Sequence, residues 1–202
     1  MGPAASSPIL VLDTETTGLL DQRHAAVVEV GAAAIDLEGR HLTRVREVVS
    51  FLVNPGEAYL GPEADEALSI NRITRDEIRA LGLAPDEAAA LLVKSTLQES
   101  PTSVAAFGVH FDKPMLARPP LGWTTPLPWV DVMLKAAEVM GAAGQLGRRA
   151  DGSLKWPSLK EAALFFGVVN PRPHRAMADA LTAARVLAAV LETPSGPQSE
   201  RA

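Results

Sequence analysis

Near its start the chain places four consecutive apolar residues, Ile9-Leu10-Val11-Leu12, and follows them at once with Asp13-Thr14-Glu15-Thr16-Thr17-Gly18-Leu19. A run of that length, partly β-branched and closed by a glycine turn, predicts a buried strand over Pro8–Asp13. Apolar positions recur along His24–Ile35 and Leu42–Val53, predicting two further strands. Asp36-Leu37-Glu38-Gly39-Arg40 reads as the hairpin turn between them, and Asn54-Pro55-Gly56 ends the third. Helical spacing then takes over. Helices are expected at Pro62–Ile70, Thr74–Leu81 and Pro85–Glu99. The second opens with Thr74 and Glu77 at capping-box spacing, and the third groups Ala88, Leu91, Leu92, Ser95 and Thr96 near one face. Thr102–Phe107 is a fourth strand, Asp112–Ala117 a short helix, Leu127–Val130 a fifth strand and Asp131–Gly141 a helix. After a Gly- and Arg-containing loop, Ser158–Phe166 forms a helix capped by Ser158 with Glu161 three residues on. Arg175–Leu191 is the last helix, with Ala176, Ala180, Ala183, Leu187 and Val190 as its apolar stripe.

A meander of three antiparallel strands followed by alternating helices and strands implies an α/β fold. It would be a central mixed five-stranded sheet, three antiparallel strands then two parallel, flanked by helices. The most continuously apolar strand, the first, belongs at its centre. The expected organisation is a disordered N-terminus (1–7), one domain (8–192) and a disordered tail (193–202).

The chain has 202 residues, 47% hydrophobic and only 4% aromatic, so its core must be built mainly from Ala, Val and Leu. With no cysteine, disulfides, thiolate catalysis and cysteine-ligated zinc are excluded. No apolar run is long enough to span a membrane, so no membrane partner and a cytoplasmic location are expected. A net charge of −5 does not suit a broad basic face gripping a duplex. A nucleic-acid ligand would need local cations or metal ions.

Three acidic sites carry the chemistry. Asp13 and Glu15 are two apart, so a strand would aim them to one side. Carboxylates that close repel, and a divalent cation with oxygen ligands removes the conflict; two solvated acids in a loop are the plain alternative. Asp112 follows the fourth strand, where it either caps a helix or reaches the same sheet end as Asp13. Asp179 lies on the edge of the last helix's apolar stripe, a costly place for an acid unless a cation meets it. His174 precedes that helix behind Pro171 and Pro173. The segment from Gln145 to Trp156 combines Arg148, Arg149 and Lys155 with a tryptophan. It reads either as a solvated loop or as a single-strand contact.

Taken in order, D-x-E-T-T-G-L at Asp13–Leu19, F-D at Phe111-Asp112 and H-x-x-x-x-D at His174–Asp179 resemble the DEDDh (DnaQ-like) 3′–5′ exonucleases, over about Ile9 to Leu191. That family has a ribonuclease H-like fold. The resemblance implies metal-dependent hydrolysis of terminal phosphodiesters with two divalent cations, Mg²⁺ or Mn²⁺. Asp13, Glu15 and Asp179 would hold one ion, and Asp13 and Asp112 the second. His174 would be the general base, since an imidazole titrates near neutrality. Thr16, Gly18 and Leu19 would bind the terminal nucleotide, with Phe107 either stacking on a base or filling the core. Phe107-Gly108 stands where the family usually has His-Asn, which puts substrate preference in question. The expected partner is nucleic acid with a 3′ end, single-stranded DNA favoured, in a proofreading or repair setting. RNA trimming and an inactive accessory subunit are the alternatives. A metal-dependent phosphatase is a further one, disfavoured because no phosphate-cradling glycine loop is present. The tail offers no polymerase-binding motif, leaving docking of a DNA polymerase to the folded body, and the oligomeric state is not legible.

Overall fold

A computed structural model describes residues 8–38 and 41–193. The expected disordered ends, the tip of the 36–40 turn and all but the first residue of the 193–202 tail lie outside them. Among the described residues there are five strands, β1 (Ile9–Thr16), β2 (Val27–Glu38), β3 (His41–Leu52), β4 (Ser103–Ala106) and β5 (Trp129–Asp131), in spatial order β3-β2-β1-β4-β5. β1 pairs antiparallel with β2, and β2 with β3, while β1–β4 and β4–β5 are parallel. The expected mixed sheet with a central first strand is thus present.

Among the described residues seven α-helices cover its faces: α1 (Asp65–Asn71), α2 (Arg75–Leu81), α3 (Pro85–Glu99), α4 (Val109–Ala117), α5 (Val132–Ala142), α6 (Leu159–Phe165) and α7 (Ala176–Glu192). Alternation along β1 divides the core. Leu10 and Leu12 pack with Ala88 and Leu92 of α3 and Met115 and Leu116 of α4. Val11 faces the other way, onto Val132 and Ala136 of α5, Ala162 of α6 and Ala180, Ala183 and Leu187 of α7. The alanines let α7 lie close to the sheet. At Gly31 in β2 the approach is tightest: a methyl group there would meet backbone atoms of Ala176 and Met177 at 2.3 Å.

Three boundaries differ from the sequence reading in ways that matter for the site. β1 continues through Thr16, because Asp13, Thr14 and Glu15 pair with Gly31, Val30 and Glu29 of β2. Glu15 is therefore held inside the strand with Asp13 and not beyond it. β2 starts at Val27, leaving 17–26 as a loop closed by hydrogen bonds from Thr17 N–H to Ala26 O (2.9 Å) and from Ala26 N–H to Thr17 Oγ1 (2.9 Å). α4 starts at Val109, three residues before Asp112. Gly108 turns the chain at φ 107°, and Asp131 at the end of β5 accepts the Val109 N–H at 3.0 Å. Pro62–Ile70 divides into a 3₁₀ turn, Pro62–Ala64, and α1. Among the described residues no helix is long and apolar enough to cross a membrane.

Candidate metal and nucleic-acid site

Asp13 and Glu15 leave one face of β1 two residues apart, and Asp179 projects from the first turn of α7 beneath them. One carboxylate oxygen from each of the three lies within 4.8 Å of the others. The central strand and the last helix thus bring together acids 166 positions apart in the chain.

Asp112 reaches the same rim from α4 and is buried. It does not cap that helix, whose N-cap Gly108 has no side-chain bond. Its Oδ1 instead accepts from Thr14 N–H at 3.1 Å and from Thr14 Oγ1 at 2.8 Å. Thr14 points away from Asp13 and Glu15, so one strand supplies two acids on one face and the hydroxyl that fixes another acid on the opposite face.

Asp179 is also held. Its Oδ2 accepts the His174 N–H at 3.0 Å, and its Oδ1 accepts from the Asn170 amide. The first of these needs a left-handed turn at His174, which has φ 64° and leaves the imidazole exposed at the rim. A non-glycine residue in that region costs energy and persists only where its surroundings fix it.

The electrostatics follow from packing these groups together. Burial, then the negative charges of Asp112, Asp179, Glu15 and Glu29, raise Asp13 well above the usual carboxylate range. Glu15 is pushed up to about 8 by burial, Asp179 and Glu29, with Arg175 pulling the other way. Burial also lifts Asp112 to about 7, although its bonds from Thr14 oppose the rise. Asp179 is raised by burial against the opposing bonds from Asn170 and His174. Among the described residues, no Lys or Arg forms an ion pair with any of these four acids. A set of hard oxygen donors carrying excess negative charge fits divalent cations of the magnesium class.

Two residues that position the site were not singled out in the sequence. Glu29 is buried and lies opposite Glu15 in the β1–β2 register. It accepts from Arg175 Nη2 at 2.7 Å and from the Ala176 N–H at 2.9 Å, so it ties the start of α7 to β2. The signal was available as an acid interrupting the apolar run Val27-Val28-Glu29-Val30. Asp131 accepts from both Val109 N–H and Leu134 N–H at 3.0 Å, starting α4 and α5 together.

Beside the acids lies a cleft of about 250 Å³ lined by Thr16, Gly18, Leu19, Gln22, Glu66 and Ile70, among others. Leu19 is 61% and Ile70 49% exposed, so two aliphatic side chains flank an open slot. Asn71 fixes its floor by donating to Thr16 O at 3.1 Å, and Gln22 Oε1 accepts the Leu19 N–H at 2.9 Å. Phe107 stands apart from this cleft. It is half-buried and packs against the core beneath α5, α6 and α7.

A mixed β3-β2-β1-β4-β5 sheet with acids clustered on its central strand is the arrangement of the ribonuclease H-like class. A family model described as "Exonuclease" (RNase_T) matches residues 10–187, and the chain belongs to this family, as its acidic residues led us to expect. No curated protein sequence matches the chain. Among solved structures, E. coli exonuclease I in complex with a dT13 oligonucleotide is 21% identical with a TM-score of 0.64, over 93% of this chain and 41% of that one. Exonuclease I from Methylocaldum szegediense, moderately thermophilic, is 20% identical with a TM-score of 0.65, over 93% and 41%. A 3′-exonuclease that recognises the 3′ end of a histone mRNA stem-loop is 13% identical with a TM-score of 0.66, over 93% and 64%. The chain therefore spans about two fifths of the length of exonuclease I, and at these identities the likeness is one of fold.

Proposed function

We propose that the chain is a metal-dependent 3′–5′ exonuclease that hydrolyses terminal phosphodiesters and releases nucleoside 5′-monophosphates, single-stranded DNA ends being the favoured substrate. The convergence of the Asp13, Glu15 and Asp179 carboxylates within 4.8 Å, in a chain of the exonuclease family, carries the reading. Asp13, Glu15 and Asp179 would hold one divalent ion, and Asp13 with Asp112 a second. When bound, Mg²⁺ or Mn²⁺ supplies Lewis-acid charge at the phosphoryl oxygens and makes water a better nucleophile.

The chain's own residues do the rest. Thr14 keeps Asp112 turned to the rim, and Asn170 with the His174 N–H keeps Asp179 there. The exposed His174 ring takes the attacking water's proton at an imidazole nitrogen. The cleft between Leu19 and Ile70 receives the terminal nucleoside, where the two side chains cover a base and the backbone around Thr16 meets the sugar. Proofreading or repair, alone or docked to a DNA polymerase, is the setting such an activity would serve.

The presence of Asp13, Glu15, Asp112, His174 and Asp179 together argues against an inactive accessory subunit. RNA trimming is the second reading, favoured by the fold shared with the histone-mRNA 3′-exonuclease. The test feeds the protein end-labelled single-stranded DNA, RNA and duplexes with Mg²⁺ or Mn²⁺. A ladder shortening from the 3′ end, abolished by chelator and by Asp13→Ala, is the expected result. Shortening from the 5′ end would overturn the polarity, and binding without turnover on every polymer would overturn the catalytic reading.

A further inference from the structure

The chain from Gly147 to Lys155, between α5 and α6, is an ordered hairpin. Arg149 N–H donates to Ser153 O at 2.8 Å, Lys155 N–H to Gly147 O at 2.9 Å, and Gly152 turns the chain at φ 83°. Asp151 accepts from Ser153 Oγ and N–H, which ties it into the turn. Immediately after the hairpin comes Trp156, 47% exposed. Arg149 lies over the face of its ring, the guanidinium carbon 4.5 Å from the centroid, and the His110 ring is tilted beside it with centroids 5.2 Å apart. His110 is the second residue of α4, two before Asp112, and α4 follows the β4 end that lies parallel beside β1. The hairpin is thereby anchored at the same rim as the acids.

Charge gives this placement its meaning. The chain carries −5 overall and a cluster of acids stands beside its cleft, so a polyanion needs cations close by. Arg148, Arg149 and Lys155 are exposed on the hairpin; Arg148 donates to Gly152 O at 2.6 Å, Arg149 and Lys155 attract Asp151 and Glu161 from a distance, and among the described residues none of the three closes an ion pair. An accessible indole beside guanidinium and ammonium groups is the combination that binds single strands, through base stacking and phosphate contact.

We propose that Trp156, with His110 and the cations of the 147–155 hairpin, is the seat of the single-stranded segment on the 5′ side of the terminal nucleotide. It rests on the exonuclease reading for its direction along the strand. Arg149 leaves the face of Trp156 for a flanking phosphate, a base takes its place on the indole, Lys155 takes the next phosphate, and His110 sets the distance to the acids. A duplex offers no free base face, so the seat selects single strands.

The test compares the full chain and its variants on a 12-nucleotide single strand and on the p-nitrophenyl ester of thymidine 5′-monophosphate, which fills only the terminal site. Trp156→Ala should raise KM for the oligonucleotide about 10-fold more than for the ester, with kcat little altered, and Trp156→Phe should restore most of the loss. The double variant Arg149→Ala/Lys155→Ala should flatten the dependence of log KM on log salt by about 1.4. Equal losses on both substrates, or none on either, would overturn the proposal. Oligonucleotide binding to Asp13→Ala, followed by tryptophan fluorescence with and without Trp156→Phe, separates the two readings. Quenching that depends on Trp156 without turnover by the wild type would sink the exonuclease and keep the seat. Turnover without Trp156-dependent quenching would do the reverse.

Discussion

Metal-free protein should lose stability as the pH rises from about 5 to about 8, and a divalent ion should restore it. Glu15 carries the argument, with a pKa of about 8 where an ordinary glutamate has 4.5. Between those values the folded state binds a proton that the unfolded chain has released. Its stabilising contribution is complete below the unfolded value and is lost as the pH climbs through the folded one. At about 1.4 kcal/mol per pH unit the gap is worth roughly 5 kcal/mol. Asp112, raised to about 7 chiefly by its own burial, is also one of the charges that raise Glu15, so the two are not added. If relaxation removes half of it, about 2–3 kcal/mol remains, or about 5–10 °C in Tm for a domain of this size. The assay is thermal unfolding in chelator across the range, repeated with saturating Mg²⁺ or Mn²⁺. Glu15→Gln should flatten the slope, and the metal-induced rise in Tm should be larger at the alkaline end, where the carboxylates are already free of protons. A Tm that holds steady or rises with pH in chelator would refute the reasoning, as would an unchanged slope in Glu15→Gln.

The remaining expectations concern residues that hold or use the site. His174→Ala should lower kcat by about 10²–10⁴-fold in the end-labelled assay with the Tm little changed, and Asp13→Ala should cost more because it is shared between both proposed ion positions. Thr14→Val removes the hydroxyl that donates to Asp112 at 2.8 Å, and a metal titration of activity should shift by about 10–100-fold in concentration. Glu29→Gln leaves Arg175 without its carboxylate; half-exposure of that arginine moderates the loss to about 1–3 kcal/mol, read by denaturant unfolding. Gly31→Ala would drive a methyl group into the α7 backbone and should destabilise by about 1–3 kcal/mol, with activity falling as Asp179 is displaced.

What the sequence disclosed was what is local. α3 runs Pro85–Glu99 as its periodicity predicts, and the capping boxes at Thr74–Glu77 and Ser158–Glu161 form as their spacing requires. Spacing on β1 and a place on the α7 stripe marked Asp13, Glu15 and Asp179 separately as acids in want of a cation; their meeting at one site was implied by the family resemblance. The strand through Glu15 was not legible, since polar Asp13–Thr16 looks like a turn until β2 pairs with it. The roles of Glu29 and Asp131 were hidden for a related reason. Glu29 shows only as an acid in an apolar run and Asp131 only as a local cap of α5, while the Ala176 and Val109 N–H groups they also accept come from distant segments that no local pattern names. Phe107 could be read either way from sequence, and its packing against the core shows where one of its faces goes.

The tie between Glu29 and the start of α7 has a consequence for how the molecule is made. Asp179 arrives only when a helix near the end of the chain docks on strands synthesised long before it, against a residue 147 positions earlier. On the proposed function, a nascent or half-assembled polypeptide would therefore lack a complete ion site and would leave the nucleic acid around it uncut. Catalytic competence would thus report the last docking event, and its recovery after denaturation would lag behind that of bulk helicity if α7 docks last.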